Sequence, residues 1–248
     1  MRDVSSQNHI LVCFLTIAIA LLAAPATAAD RLSGSGWTLS LSVPKGKGPF
    51  PAVIVLPGCS GNAPAAVAAG LRDHARHLTS NGFAAGILDV LGGRSICADL
   101  AVLGVRERSA ARSAIAAAKK LAADPRIDPK RLGFIGQSFG GSVALRLASS
   151  PSPFRAVAAY YPWCRGGGTR IPTLIMTGDA DTWTPVSRCR SSGAQIVTYP
   201  GAVHSFDLKT LKPQAVKGVG GDFPVAGNAA AAASSQARYL SFFAAKLR

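Results

Sequence analysis

Residues 52–56 are wholly apolar and rich in valine and isoleucine, the pattern of a strand buried on both faces of a parallel sheet. Pro57-Gly58 ends the run. The same short apolar pattern returns at residues 83–88, 132–135, 155–159, 171–177 and 195–199. Longer stretches of helical character lie between and after these runs. They are residues 64–79, stopped by Asn81-Gly82; the alanine-rich residues 105–123, closed by Asp124-Pro125; residues 139–149; and residues 229–246. Strands alternating with helices predict an α/β fold, a mainly parallel sheet with helices on both faces. Ahead of this core, residues 37–43 alternate like a strand, and residues 44–51 read as a Pro/Gly/Lys turn. Only about a dozen residues separate the strand ending near Tyr160 from the one beginning near Pro172, so no cap domain is expected and the cleft should be open. The glycine-rich residues 217–227 read as a surface loop beyond the chemistry.

The amino terminus breaks this pattern. Residues 10–24 form an apolar run shorter than the roughly 20 residues of a membrane span, and Ala26-Thr27-Ala28-Ala29 supplies the small residues a signal peptidase recognises. Residues 1–28 therefore read as a signal peptide and residues 29–248 as a single domain, with no stable membrane insertion after cleavage at Ala28 or Ala29. Arg2 is offset by Asp3, which keeps an uncleaved anchor as the alternative. Cys13 lies inside the apolar run behind Val12, not behind the small residue a lipid-anchored cysteine needs. The other four of the five cysteines, Cys59, Cys97, Cys164 and Cys189, suit two disulfides in a periplasmic or secreted protein. No C-x-x-C pair suggests a metal, and no cofactor is implied.

Lys and Arg number 27 against 12 Asp and Glu, a net charge of +15. The basic residues are spread over several predicted helix faces without interleaved aromatics, which argues for a solvated surface and no nucleic-acid partner. Nothing in the pattern specifies an oligomeric state.

Gly136-Gln137-Ser138-Phe139-Gly140 matches G-x-S-x-G and sits between a predicted strand and a predicted helix, the setting of a nucleophile elbow. A turn sharp enough to lift a serine above the sheet crowds backbones together, hence glycine at both flanks. Serine is a weak nucleophile until a base takes its proton, and the base needs an orienting carboxylate. Of four histidines, His9 lies in the leader, and His74 and His77 sit beside Arg72 and Arg76 and read as solvated surface. His204 remains, in a loop late in the chain, as the order Ser, Asp, His requires. For the carboxylate, Asp181 is preferred over Asp179, which stands nearer the strand end and suits a turn-bonding role. Asp207 is too close to His204 in sequence to approach the imidazole from behind and is expected to cap local backbone. The oxyanion of acyl transfer needs two donors: the Phe139 N–H, and that of Cys59 or, alternatively, Ser60 in the loop after residues 52–56.

Together these residues resemble the dienelactone hydrolase-like branch of the α/β-hydrolases, in particular its exported, cysteine-containing members. The likeness is carried by Pro49-Phe50-Pro51-Ala52-Val53, Gly58-Cys59-x-Gly61, the elbow through Gly141, Pro153-Phe154-Arg155-Ala156, Tyr161-Pro162-x-Cys164, Gly178-x-x-Asp181-x-Trp183-Thr184-Pro185 and Gly201-Ala202-x-His204-Ser205-Phe206-Asp207. It implies an α/β-hydrolase fold, Arg94 and Trp183 near the substrate, and disulfides Cys59–Cys97 and Cys164–Cys189. Two departures qualify it. The founding enzymes have cysteine at the elbow where this chain has Ser138, and an arginine four residues after the histidine where it has Leu208. That second change favours neutral esters, or leaves anionic ones to Arg94. The stretch before Phe50 is short, so the first strands common in the superfamily are expected to be missing.

The sequence thus reads as a serine hydrolase that cleaves a small-molecule ester through Ser138, His204 and Asp181. The competing readings are a non-catalytic binding protein of the same fold, and an acyltransferase or thioesterase using the same triad.

Overall fold

The computed structural model describes residues 29–247; the leader predicted at residues 1–28 lies outside the described residues. The chain runs β1 (Asp30–Gly34), β2 (Trp37–Ser42), β3 (Phe50–Leu56), α1 (Ala65–Ser80), β4 (Ala84–Asp89), α2 (Leu100–Leu121) and β5 (Ile127–Gln137). It continues through α3 (Phe139–Ser149), β6 (Ala156–Tyr160), β7 (Thr173–Gly178), a 3₁₀ turn (Val186–Cys189), β8 (Gln195–Tyr199), β9 (Gln214–Gly218), β10 (Gly221–Val225) and α4 (Ala229–Leu247).

Eight strands form one sheet in the order β1-β2-β4-β3-β5-β6-β7-β8, parallel throughout except where β2 pairs with β1 and β4. The apolar runs become strands covered on both faces, and successive residues point to opposite layers. In β3, Ala52, Ile54 and Leu56 join the layer under α2 and α3, while Val53 and Val55 join the layer under α1 and α4. Ala110, Ala114, Ala117 and Ala118 of α2 are buried, and these small side chains let a long helix lie close to the sheet. Residues 161–172 connect β6 to β7 without a helix or strand, so no cap covers the carboxyl ends of the strands.

Three expectations need correction. The first strands are present: β1 and β2 make a hairpin through Ser35-Gly36, where Gly36 has φ +74° and Trp37 packs flat against Gly34. Helix α2 begins at Leu100, ahead of residue 105, because the Asp99 carboxylate accepts the Val102 N–H at 3.1 Å and Gly104 is carried within the helix. Residues 217–227 are no loop: β9 and β10 form a hairpin turning at Val219-Gly220, with Gly220 at φ +94°. Pro224 is accommodated because the ribbon has only two strands.

Two glycine substitutions test this account. A Cβ at Gly136 would stand 1.8 Å from the Gly140 carbonyl oxygen, so Gly136→Ala is expected to cost roughly 2–3 kcal/mol or to prevent folding. At Gly104 a Cβ meets nothing within 4 Å, and Gly104→Ala should raise stability by about 0.5–1 kcal/mol. Urea unfolding midpoints measure both.

Candidate active site

Strand β5 ends at Gln137 and α3 starts at Phe139, leaving Ser138 alone in the turn with φ 51° and ψ −111°. Among the described residues, the non-glycine residues with positive φ are Ser138, Tyr161 and Ser205. All three sit in or beside this site, and strain of about 1–3 kcal/mol per residue persists only where the surroundings enforce it. The β3–α1 loop lies against the turn. A Cβ at Gly58 would be 3.3 Å from Ser138 Cβ and 3.9 Å from its hydroxyl oxygen, so the segment carrying the Cys59 N–H abuts the turn carrying the Phe139 N–H. The Cys59 carbonyl accepts the Ile96 N–H at 2.8 Å, and a disulfide joins Cys59 to Cys97.

His204, on the loop after β8, places Nε2 2.9 Å from the Ser138 hydroxyl and Nδ1 2.8 Å from the Asp181 carboxylate. Asp181 is buried after β7 and accepts the Trp183 and Thr184 N–H groups, each at 2.9 Å. Burial alone would push its carboxyl up. Hydrogen bonds and attraction from His204, with those of Thr184, outweigh that and hold it below the usual carboxylate range. An acceptor-only carboxylate at Nδ1 puts the imidazole proton there and turns the Nε2 lone pair toward the hydroxyl. Asp179 is directed elsewhere, accepting the Gly201 N–H at 2.7 Å. The imidazole is flanked by Tyr161, with ring centroids 4.4 Å apart, and by Trp183, at 4.7 Å. Trp183 in turn stacks on Phe223 of β10 at 5.0 Å, so the segment expected to lie beyond the chemistry braces the imidazole through an aromatic stack.

A second cluster was not anticipated. His74 is fully buried rather than solvated, and its Nε2 lies 2.8 Å from the Asp207 carboxylate. Asp207 does not cap local backbone; it also accepts from the Gln137 amide and the Tyr161 hydroxyl. Burial, and then the adjacent Asp207 charge, push the Tyr161 phenol well above its usual range, so it remains a donor. These bonds tie α1, the residue before Ser138, the residue after β6 and the His204 loop together. The sequence did carry a signal, since His74 falls on the same α1 face as the buried Val67, Leu71 and Leu78. Nearby, Asp73 bonds Lys209 and Gln236, each at 2.8 Å. Burial raises the Asp73 carboxyl, but these donors outweigh it and bring it to about 2.

Two cavities meet at Ser138. One, of about 330 Å³, has apolar walls from Val67, Leu208, Leu211, Val216 and Val225; the other, of about 220 Å³, includes Leu103, Phe139, Trp163 and Val219. Cys59, Cys97 and Trp183 border both. Leu208 contributes an apolar wall. Arg94 is exposed, donates from Nε to the Leu91 carbonyl at 3.3 Å, and lines neither cavity. The second disulfide joins Cys164 to Cys189.

Residues 39–247 match the family model described as the dienelactone hydrolase family. Among solved structures, a dienelactone hydrolase-like promiscuous phosphotriesterase from metagenomic libraries superposes with TM-score 0.70 at 24% identity, over 89% of this chain and 98% of that one. An esterase of the Planctomycetes species Thermogutta terrifontis gives TM-score 0.63 at 17% identity, over 88% and 94%. Among curated proteins, a cutinase of Thermobifida cellulosilytica is 42% identical over 64 residues, 25% of this chain and 24% of that protein. Lipase 1 of a Moraxella species is 44% identical over 57 residues, 22% and 18%. The chain thus spans about a quarter or less of the length of these curated relatives.

Asp207→Ala strands three buried partners and should destabilise the fold by about 3–5 kcal/mol, measured by urea unfolding. Acid sensitivity is a separate test. The folded-state pKa of Asp73 is depressed, so its contribution is present above the ordinary carboxylate range and is lost as pH falls through about 2. Stability should therefore drop between pH 4 and 2, and less steeply in Asp73→Asn.

Proposed function

We propose, on the premise that the chain belongs to the dienelactone hydrolase family, that it is an exported serine hydrolase cleaving small-molecule esters. The observation that carries the reading is the continuous line from Asp181 through His204 to Ser138, 2.8 Å and then 2.9 Å, at a turn where serine holds a strained conformation. In the proposed reaction His204 Nε2 takes the hydroxyl proton as Ser138 Oγ attacks the ester carbonyl. The resulting oxyanion is held by the Cys59 and Phe139 N–H groups. The tetrahedral species collapses by breaking the bond to the alcohol oxygen, which receives the proton from His204 and leaves. Water then enters, gives a proton to the same nitrogen and attacks the acyl-enzyme. The second collapse releases the acid, and the proton returns to Ser138. Asp181 keeps the imidazole oriented and stabilises its charged form throughout. Trp183 is proposed to contact substrate, since it borders both cavities.

The exported location rests on the two disulfides and on the leader pattern of residues 1–28. N-terminal sequencing of the mature protein should begin at Ala29 or Asp30.

A fluorophosphonate probe should label Ser138, and Ser138→Ala should lose both labelling and hydrolysis of p-nitrophenyl esters. Asp181→Asn should keep the fold but lower kcat by roughly 10³- to 10⁴-fold. A Ser138→Ala variant as active as the wild type would remove the mechanism.

A further inference from the structure

A third cavity, of about 190 Å³, opens beside the smaller of the two that meet at Ser138, and the two share Glu107, Ser142, Trp163 and Arg165. Its wall carries three arginines, Arg146, Arg165 and Arg188, against one carboxylate, Glu107. Glu107 is buried and holds two of them, Arg165 at 3.1 Å and Arg146 at 3.8 Å. Arg188 lies over the Trp163 ring, 4.3 Å from its centroid. The Arg146 Nε is buried with no hydrogen-bond partner. Three guanidinium groups around one carboxylate leave a net charge of two positive units on this wall. An orphaned buried donor beside it is the arrangement an incoming anion would complete.

The cluster is held in place. Arg165 follows Cys164 and Arg188 precedes Cys189, and the disulfide sets those cysteines 5.1 Å apart Cα to Cα, bringing the two arginines to one rim. Ser142 Oγ accepts the Trp163 N–H at 3.1 Å and fixes that residue, which precedes Cys164 and whose ring Arg188 covers. Arg165 and Arg188 are exposed, and their contacts with Glu107 and the Trp163 ring reduce the ordering cost of binding an anion.

We propose that this cavity is an anion subsite, which binds a carboxylate carried at the far end of an ester whose carbonyl lies at Ser138. The proposal rests on the hydrolase reading for the ester, but not for the anion. It assigns charge recognition to the β6–β7 loop, α3 and the 3₁₀ turn, and gives Arg94 no part.

The test compares kcat/KM for p-nitrophenyl hexanoate with that for the half-ester of adipic acid, and for phenyl acetate with its p-carboxymethyl counterpart. The two pairs put the carboxylate on the acyl side or the leaving-group side. In at least one pair the charged ester should be preferred by about tenfold, and the preference should shrink in molar salt. Arg188→Gln and Arg165→Gln should each lower the charged-to-neutral ratio about tenfold, and a ratio is insensitive to the fraction of folded enzyme. Calorimetric titration of adipate into Ser138→Ala protein should show binding that Arg188→Gln abolishes. Binding without cleavage of any ester would overturn the hydrolase reading alone. Neutral esters favoured in both pairs, a preference that survives both arginine variants, or an absence of adipate binding would overturn the subsite.

Discussion

The site depends on backbones that approach one another more closely than a side chain allows. At the β5–α3 turn a Cβ on Gly136 would lie 1.8 Å from the Gly140 oxygen, one on Gly140 2.3 Å from the Leu56 oxygen, and one on Gly141 2.7 Å from the Tyr160 oxygen. The ends of β3, β5 and β6 therefore converge on the start of α3. That convergence forces Ser138 to positive φ above the sheet. It also brings in the β3–α1 loop with Cys59 and the post-β6 segment with Tyr161. A matching approach occurs at the far side, where a Cβ on Gly178 would stand 1.9 Å from the Ala202 oxygen. The β7 turn bearing Asp181 and the β8 loop bearing His204 are clasped together by that contact. The geometry of the three side chains is thus a property of main-chain packing, with hydrogen bonds completing the alignment.

What the sequence disclosed follows the range of the interactions involved. Buried strands, the elbow glycines, His204 and the two aspartates after β7 are local patterns, because each element's residues are chosen for its own two faces. The Asp207 cluster is different in kind. Its partners lie 133, 70 and 46 residues away, so no window of sequence contains the pair that neutralises the burial penalty of either member. Reading His74 with its charged neighbours Arg72 and Arg76 assigned it to solvent, yet those neighbours point outward while His74 shares the apolar face. The β9–β10 hairpin was obscured because Gly218, Gly220, Gly221 and Pro224 mimic loop composition. A Cβ at Gly218 would be 2.5 Å from the Trp183 ring, so at that position glycine reflects ring packing rather than chain freedom. Arg94, which the resemblance implied lies near the substrate, is exposed, and its Nε bonds the Leu91 carbonyl of its own loop.

The crosslinks and the buried polar cluster divide the labour of holding strained residues in place. Positive φ at Ser138, Tyr161 and Ser205 disfavours the native loops locally, so each needs an external tether. The Tyr161 hydroxyl and the Gln137 amide meet on Asp207, itself two residues beyond Ser205, which links all three strained positions through one carboxylate. The disulfides add restraints at other points of the loops. Cys59–Cys97 ties the β3–α1 loop to the loop after β4, and Cys164–Cys189 ties the loop after β6 to the turn after β7.

Those tethers give the cleft a direction. On one side of Ser138 the wall includes Val67, Leu208, Leu211 and the hairpin residues Val216 and Val225, and among the described residues no Lys, Arg, Asp or Glu lines it. On the other side the cavity includes Glu107 and Arg165 and runs on toward Arg146 and Arg188. An ester with one apolar end and one charged end gains from only one orientation, because the reverse would bury its charge among aliphatic groups and leave the guanidinium cluster uncompensated. Orientation decides which side of Ser138 receives the acyl chain and which the leaving group, so the asymmetry of the walls bears on which ester is aligned for attack as well as on affinity. Leu208 belongs to this logic. An arginine there would place an anion site on the aliphatic side and erase the polarity, whereas leucine packed over Gly70 keeps an apolar wall there and leaves charge recognition to the opposite wall.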